Sequence, residues 1–149
     1  MGLKSQFSII DIDDQIRLIK QALSYHKVDE KRWPARLIHS IIQKWKDKGL
    51  NPEEISNDEI FGNVAGKKIY RTYQNRLITL NVVDYGDLLL QNLNIFKNNP
   101  EILNIYQKKF KYILVDEYQD TNVCQHHWLK LLAEKFKNIC AVGDDDQSI

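Results

Sequence analysis

Two short apolar segments near the end of this 149-residue chain run directly into acidic loops. Residues 111–115 predict a buried strand that continues into Asp116 and Glu117. Residues 139–142 predict a second strand, which is followed by a glycine and three aspartates. A helix between two such strands implies a right-handed parallel crossover, so both acidic loops lie at one edge of the sheet. We therefore predict an α/β strand–helix–strand segment over residues 110–149, with a polar site at that edge.

The first acidic loop has the composition of a site for Mg²⁺ and a nucleotide. A hydrophobic strand that ends in Asp-Glu is the Walker B pattern, in which the aspartate holds Mg²⁺ and the glutamate can polarise the attacking water. Asp116 is thus the candidate metal ligand, and Glu117 is the candidate catalytic base. An ordinary acidic loop after a strand would have the same local composition, and this alternative stays open on the first loop alone.

The phosphate-binding loop that normally accompanies Walker B, G-x-x-x-x-G-K-[ST], does not occur in the sequence. The nearest string is residues 62–68, which has three residues rather than four between its glycines. It carries Lys68 where the Mg²⁺-binding hydroxyl belongs, and no predicted strand precedes it. We therefore predict that this string is an irregular start to a helix and not a phosphate site.

Four segments of the chain match known helicase motifs, and the clearest are residues 115–122, VDEYQDTN, and residues 141–149, AVGDDDQSI. These two segments resemble motifs II and III of superfamily 1A DNA helicases, the UvrD/Rep/PcrA group. Residues 2–11 are similar to the segment that opens its 1B domain, and residues 82–90 are similar to its D-[FY]-x-[DE]-L-[LI] element. The spacing of the two motifs is specific, and the resemblance extends over essentially the whole chain.

The resemblance implies a mainly α-helical, 1B-like domain over residues 1–109. A partial α/β domain is implied over residues 110–149, the RecA-like 1A domain of the P-loop NTPase type. Asp116 would bind Mg²⁺ and the nucleotide, and Glu117 would be the catalytic base. Gln147 would be a catalytic and nucleotide-binding residue that senses the γ-phosphate, because an amide can donate to a phosphate oxygen while it accepts from a neighbour.

The same resemblance implies what surrounds these residues. Gln119 and Asp120 match motif II and are expected to organise the loop between the two motifs. The phosphate-binding loop is expected upstream of Leu3, and the second motor domain is expected beyond Ile149. The full-length protein is then an ATP-dependent 3′–5′ DNA helicase of repair or replication, with Mg²⁺ and ATP as cofactors. Its partners are single-stranded or duplex DNA and the remaining helicase domains.

The 149-residue chain by itself is expected to be catalytically inactive and to bind no nucleotide, because the phosphate-binding loop and the second motor domain each contribute orders of magnitude in rate. An alternative from another class is a truncated, stand-alone module for nucleic-acid binding or protein interaction.

The net charge of +1 conceals a gradient along the chain. Residues 1–50 contain ten Lys and Arg against six Asp and Glu, whereas residues 116–149 contain three against seven. Within the basic part, Lys44, Lys46 and Lys48 are candidate contacts to DNA phosphates. A solvated helix face is the competing interpretation of such a charge run.

Apolar residues recur at helical spacing through the first hundred residues. Asp11 and Asp84 are predicted N-caps, and Gly49 is predicted to end the second helix. Asn122 and Gln125 have the spacing of a capping box for a helix that extends to about Phe136. The positions predicted to face the core are Ile12, Ile16, Ile19, Leu23, Leu37, Ile38, Ile41, Ile42, Trp45, Ile69, Tyr73, Leu77, Leu80, Leu88, Leu89, Phe96, Leu103, Tyr106, Trp128, Leu129, Leu132 and Phe136.

Several classes of protein are excluded by composition. No apolar run approaches 18 residues, so no membrane span is predicted. The only two cysteines, Cys124 and Cys140, give no disulfide framework, which favours a cytoplasmic location. Cys124 and His127 lie three positions apart, but zinc sites usually show paired ligand groups, so we favour an ordinary helix surface there.

Overall fold

The structure is a computed structural model that describes residues 2–144 and residue 146. The helices are α1 (Ile12–Tyr25), α2 (Ala35–Asp47), α3 (Gly66–Leu80), α4 (Tyr85–Asn98), α5 (Pro100–Lys109) and α6 (Val123–Ala133), with 3₁₀ turns at Pro52–Glu54 and Tyr118–Asp120. The strands are β1 (Ser8–Ile9), β2 (Ile60–Phe61), β3 (Val64–Ala65), β4 (Val82–Val83), β5 (Ile113–Val115) and β6 (Ile139–Ala141). The chain is therefore mainly helical with a small α/β segment, as predicted.

The described residues form two compact units, and the division falls inside α4. Unit 1 contains the chain up to Lys46 and Leu50–Leu88, and unit 2 contains Asp47–Gly49 and the chain from Leu89 onward. This division differs from the boundary at 109/110 that the family resemblance implies, and that boundary stays a prediction. Most of α4 and all of α5 therefore belong to unit 2, the same unit as β5 and β6.

The core of unit 1 lies between α1, α2 and α3. Its fully buried side chains include those of Ile19, Leu23, Ile38, Ile42, Ile69, Tyr70, Tyr73 and Leu77. Most of the predicted apolar positions of these helices lie in this core, but Ile12, Leu37 and Leu80 are exposed. The buried face of these helices is thus narrower than the spacing of their apolar residues predicts. The predicted N-cap of α1 is confirmed, since Asp11 accepts the backbone N–H of Asp14 at 2.8 Å.

Two small sheets in unit 1 have no counterpart in the sequence prediction, because strands of two residues are too short to show a period. β1 pairs with β4 in parallel, and β2 pairs with β3 as a hairpin. The hairpin turn contains Gly62 at φ +66°. Gly66 then begins α3, where an added Cβ would lie 2.8 Å from Cη2 of Trp45. The glycines of this string therefore serve a turn and a close packing contact.

Unit 2 contains the predicted strand–helix–strand segment. β5 and β6 are parallel, with Ile113 opposite Ile139 and Val115 opposite Ala141, and α6 connects them. The predicted capping box is confirmed, because Asn122 Oδ1 accepts the N–H of Gln125 and Gln125 Oε1 accepts the N–H of Asn122, both at 2.8 Å. The RecA-like assignment itself stays a prediction, since two strands and one helix are common to many α/β folds.

The apolar contacts of unit 2 centre on α4 and α6. Leu90, Leu93 and Cys124 form the buried core, and Trp128 and Leu131 pack against it. The helix α6 ends at Ala133, and Phe136, which was predicted to be buried, is 37% exposed beyond that end. On the sheet, Leu114 is 86% exposed and all three residues of β6 are exposed.

Several other residues of α4 and α5 that were predicted to face the core are also less buried than expected. Phe96 is buried, but Leu88, Leu89 and Leu103 are only partly buried. Tyr106 is exposed, although its ring contacts Phe96 at 5.4 Å between centroids. None of the helices in the described part of the chain is both long enough and apolar enough to cross a membrane.

Candidate active site

The two acidic loops are brought together by backbone pairing that continues past the ends of β5 and β6. The N–H of Val142 donates to the carbonyl of Val115 at 2.8 Å, and the N–H of Tyr118 donates to the carbonyl of Val142 at 2.9 Å. Because the strands are parallel, Asp116 and Glu117 follow β5 on the same edge where Asp144 follows β6. The predicted juxtaposition of the two loops is therefore confirmed for the described residues.

Glu117 has a left-handed backbone conformation, with φ 53° and ψ 42°. A non-glycine residue in this region carries a steric cost, so the surrounding contacts must hold it there. Asp116 Oδ1 accepts the N–H of Glu117 at 2.9 Å, and the carbonyl of Glu117 accepts the N–H of Asp120 at 3.0 Å. The backbone of Glu117 is thus fixed from both sides, and Glu117 and Asp116 are both exposed to solvent.

The side chain of Gln119 connects the two loops. Its Nε2 donates to Glu117 Oε2 at 2.6 Å, and its Oε1 accepts the N–H of Asp144 at 3.0 Å. Gly143 lies against the same amide, since a Cβ built on Gly143 would lie 2.6 Å from Gln119 Oε1. The sequence assigned Gln119 to the organisation of this loop, and the contacts agree with that prediction.

The donor set of this edge fits magnesium bound with a nucleotide. Asp116 and Glu117 present exposed carboxylate oxygens, which are the ligands that Mg²⁺ prefers. Within the described ranges, His, Cys, Asp and Glu form no group of three or more that could hold a metal by itself. Protein sites for Mg²⁺ commonly use one or two carboxylates and take their other ligands from water and substrate phosphates. Asp116 can supply such a carboxylate, which leaves Glu117 for the predicted role of base.

Gln147, the predicted γ-phosphate sensor, lies outside the described residues, and its role stays a prediction. The nearest described residues are Asp144 and Asp146, whose N–H donates to Asp144 Oδ1 at 3.1 Å. The loop after β6 therefore closes on itself at Asp144, whose own N–H donates to Gln119 Oε1.

The family model of the UvrD/REP helicase N-terminal domain matches residues 1–149. The chain belongs to this family. The prediction made from the two motifs is thereby confirmed.

Similar proteins are found among bacterial helicases. The chain is 50% identical over 152 residues to a probable DNA helicase II homolog of Rickettsia felis, which covers all of this chain and 23% of that protein. It is 42% identical over 149 residues to the DNA helicase II of Haemophilus influenzae and 40% identical over 156 residues to the ATP-dependent DNA helicase PcrA of Bacillus subtilis. Both matches cover the whole chain and 20% of the relative, so the chain spans about a fifth of the length of these relatives.

The three lysines predicted to contact DNA do not share one environment in this UvrD/REP chain. Lys44 and Lys48 are exposed, so they remain candidates. The prediction that Lys46 contacts DNA is wrong. Its side chain is 0% exposed, and its Nζ lies 2.6 Å from Asp84 Oδ2 and 2.8 Å from Asp87 Oδ1. Residues two positions apart on a helix face in different directions, so Lys46 points inward where Lys44 points outward.

The sequence contained a signal for the burial of Lys46 that the charge count obscured. Ile38, Ile42 and position 46 are four residues apart, so Lys46 continues the buried stripe of α2. Its partners are Asp84 and Asp87, which stand in the family's D-[FY]-x-[DE]-L-[LI] element. Asp84 was predicted only as the N-cap of α4, a role that is confirmed by the 2.8 Å bond from the N–H of Asp87 to Asp84 Oδ1.

This buried cluster is completed by neutral donors. Tyr73 Oη and Gln43 Nε2 donate to Asp84 Oδ2 at 2.9 and 3.1 Å, and Gln74 Nε2 donates to Asp87 Oδ1 at 2.8 Å. Burial favours the neutral carboxyl, but the charge and hydrogen bond of Lys46 outweigh it and lower the pKa of Asp84. For Asp87, burial and the nearby charge of Asp84 outweigh Lys46 and raise the pKa.

The sequence favoured an ordinary helix surface, rather than a metal site, for Cys124 and His127. Cys124 differs from that prediction because it is not on the surface. Cys124 is buried in the apolar core of unit 2, and burial raises the pKa of its thiol. The neighbouring His126 has its Nδ1 2.6 Å from Tyr118 Oη, which connects α6 to the loop after β5. These residues therefore have structural contacts of their own.

Proposed function

We propose that this chain is part of the ATP-hydrolysing motor of an ATP-dependent DNA helicase. The observation that carries the proposal is the placement of Asp116 and Glu117 at the carboxyl end of β5, tied through Gln119 to the loop after β6. Ligands of parallel α/β sheets bind outside this edge. Membership of the UvrD/REP family supports the same function.

In the proposed site, Asp116 holds the Mg²⁺ that accompanies ATP, and Glu117 accepts the proton of the attacking water. When bound, Mg²⁺ neutralises charge on the phosphates. Glu117 suits the role of base because its carboxylate is exposed while its backbone is fixed. Gln147 would sense the γ-phosphate.

The finer features of the function rest on the family resemblance. They are translocation in the 3′–5′ direction on DNA, a part in repair or replication, and a cytoplasmic location. The phosphate-binding loop and the second motor domain would come from parts of a longer protein, as the family resemblance implies, since residues 1–149 contain no G-x-x-x-x-G-K-[ST] string. We accordingly propose that the 149 residues alone hydrolyse no ATP and bind Mg-ATP very weakly.

The test of the proposed site uses the complete product of the gene that encodes this chain. DNA-stimulated ATP hydrolysis is measured for the wild type, Asp116→Ala and Glu117→Gln. Glu134→Gln, an exposed residue beyond the end of α6, is the matched control. We expect hydrolysis by the wild type and the control, and a loss of about 100-fold or more in both site variants.

The outcome separates the two functions considered for the chain. Full activity in Asp116→Ala or Glu117→Gln would rule out the proposed roles. A wild-type protein that binds DNA without any ATP hydrolysis would instead favour the stand-alone binding module.

A second experiment concerns DNA contact by the exposed lysines. Single-stranded DNA binding is compared at several salt concentrations for the wild type and a Lys44→Ala, Lys48→Ala variant, with Lys130→Ala as the exposed control. Each phosphate contact that is lost reduces the slope of log K against log salt by about 0.7. Equal slopes for the variant and the wild type would show that these lysines are only solvated. Lys46 is left intact, because its substitution would disturb the fold.

A further inference from the structure

The amide of Gln119 lies between the carboxylate of Glu117 and the backbone of the loop after β6. We infer that Gln119 is a positioning residue: it holds the Glu117 carboxylate in register with the Gly143–Asp144 loop, and Gly143 is small in order to admit it. This inference rests on the proposed function, and it deepens the account of the same site.

The chemistry of the bridge requires an amide. The N–H of Asp144 can only donate, so it faces Gln119 Oε1 at 3.0 Å. This leaves Nε2 toward Glu117 Oε2, which can only accept while it is ionised, at 2.6 Å. A glutamate at position 119 would keep the acceptor and lose the donor, and an alanine would lose both.

The Glu117 side chain has no comparable restraint from burial. Its backbone is held by Asp116 Oδ1 and by the N–H of Asp120, but its carboxylate is exposed. A long exposed side chain occupies several rotamers, and a general base is effective only when its oxygen lies at the position of the proton to be removed. The bond from Gln119 selects one such position.

The same bond makes the position of Glu117 depend on the other loop. Gln119 is itself anchored in the 3₁₀ turn Tyr118–Asp120, whose first N–H donates to the carbonyl of Val142 at 2.9 Å. A displacement of Gly143 or Asp144 would therefore reach the Glu117 carboxylate through one side chain.

Gly143 provides an independent way to break the bridge. An added Cβ would lie 2.6 Å from Gln119 Oε1 and 3.3 Å from the backbone nitrogen of Gln119. The first contact is shorter than van der Waals packing allows, so the amide must move away. Gly143→Ala should then reproduce the effect of losing Gln119 although Gln119 is still present.

The experiment uses the complete gene product and the variants Gln119→Ala, Gln119→Glu and Gly143→Ala, with Gln21→Ala on the exposed face of α1 as the control. Two quantities are measured: kcat and KM for DNA-stimulated ATP hydrolysis, and hydrogen exchange of peptides that contain Asp144 in the absence of nucleotide. We expect kcat to fall about tenfold or more in all three variants, with KM for ATP changed less than threefold. The control should match the wild type.

The exchange measurement separates positioning from general support of the loop. Gln119→Ala and Gly143→Ala should speed exchange at Asp144, whereas Gln119→Glu should retain protection there and still lose kcat. The double variant Gln119→Ala, Gly143→Ala should be no slower in kcat than either single variant, because both changes remove the same bridge.

Two results would overturn the inference. A wild-type kcat in Gln119→Ala, with Glu117→Gln inactive, would refute positioning by Gln119 and leave the proposed function standing. A wild-type kcat in Gln119→Glu would show that the bond to Glu117 is not used. If Glu117→Gln retained the wild-type rate, the proposed function would fail first, and the inference would fail with it.

Discussion

Two carboxylate pairs of this chain have opposite environments. In unit 1, Asp84 and Asp87 are buried around the ammonium of Lys46. In unit 2, Asp116 and Glu117 are exposed at the end of β5. Buried charges must be paired and hydrogen-bonded, whereas exposed charges keep their water and remain available to a ligand. The contrast shows that a pair of acidic residues only indicates a possible site. Its environment decides whether the pair stabilises the fold or remains available to a ligand.

The two pairs also differ in what holds them. The buried pair is fixed by side chains from α2 and α3, which include Lys46, Tyr73 and Gln74. The exposed pair is fixed by its own local backbone, with Glu117 in the left-handed region and Gln119 two residues away. We therefore expect substitutions in the buried pair to affect stability most, and substitutions in the exposed pair to affect activity most.

The largest expected effect follows replacement of Lys46. Lys46→Met removes the cation that lies between two buried carboxylates and should lower the free energy of unfolding by about 3–5 kcal/mol. The exposed Lys44→Met on the same helix is the control and should change it by about 0.5 kcal/mol or less. Urea unfolding followed by tryptophan fluorescence measures both. Equal stability of the two variants would contradict the expectation that the buried carboxylate pair depends on Lys46 for stability.

The next effect distinguishes the two buried aspartates. Asp84 accepts bonds from Lys46, Tyr73, Gln43 and the N–H of Asp87, whereas Asp87 accepts from Lys46 and Gln74. Asp84→Asn should therefore destabilise the chain more than Asp87→Asn, by about 1–2 kcal/mol in urea unfolding at neutral pH. The reverse order would contradict the assignment of Asp84 as the centre of the cluster.

The pH dependence of stability should carry opposite contributions from the same two residues. The lowered pKa of Asp84 gives stability that is present above the unfolded value of about 4 and is lost as pH falls through the folded pKa. The raised pKa of Asp87 gives stability that decreases as pH rises from about 4 through its folded pKa.

Urea unfolding between pH 2 and pH 7 checks both signs. Asp84→Asn should weaken the acid loss below about pH 4. Asp87→Asn should remove the decrease above that pH. If the free energy of unfolding of both variants changed with pH in parallel with that of the wild type, neither carboxyl would contribute to the pH dependence of stability.

The smallest expected effect tests the exposed region. Because Glu117 has φ 53°, glycine should be accommodated there without the steric cost that alanine keeps. Glu117→Gly should be about 1 kcal/mol more stable than Glu117→Ala in urea unfolding, although both lack the proposed base. Equal stability of the two would mean that the left-handed conformation carries no cost in solution.

Features set by neighbours in sequence were predicted well. The N-cap at Asp11 and the capping box of Asn122 with Gln125 each involve residues three positions apart. The parallel pairing of β5 with β6 also follows from the helix between them, because a helical crossover returns the chain to the same end of the sheet before the second strand begins.

Features set by distant partners were missed. Lys46 and Asp84 lie 38 positions apart, so their contact left no periodic signal. The pairing of β1 with β4 joins Ser8 to Val82, and next to it the N–H of Lys4 donates to Asn81 Oδ1 across 77 positions. Leu114 lies in the apolar run of β5 and is 86% exposed, because an apolar run does not specify what covers it.

The sequence by itself determined the family, the succession of helices from α1 to α6, the strands β5 and β6, and the identity of Asp116 and Glu117 as the candidate site. These follow from local propensity and from motif spacing, which are encoded over short stretches. Only the tertiary structure decided that Lys46 is a buried ion-pair partner and that Gln119 bridges two loops 25 positions apart. Charge and polarity are properties of a residue, but their use depends on which atoms the fold brings within hydrogen-bonding distance and on how much water remains there.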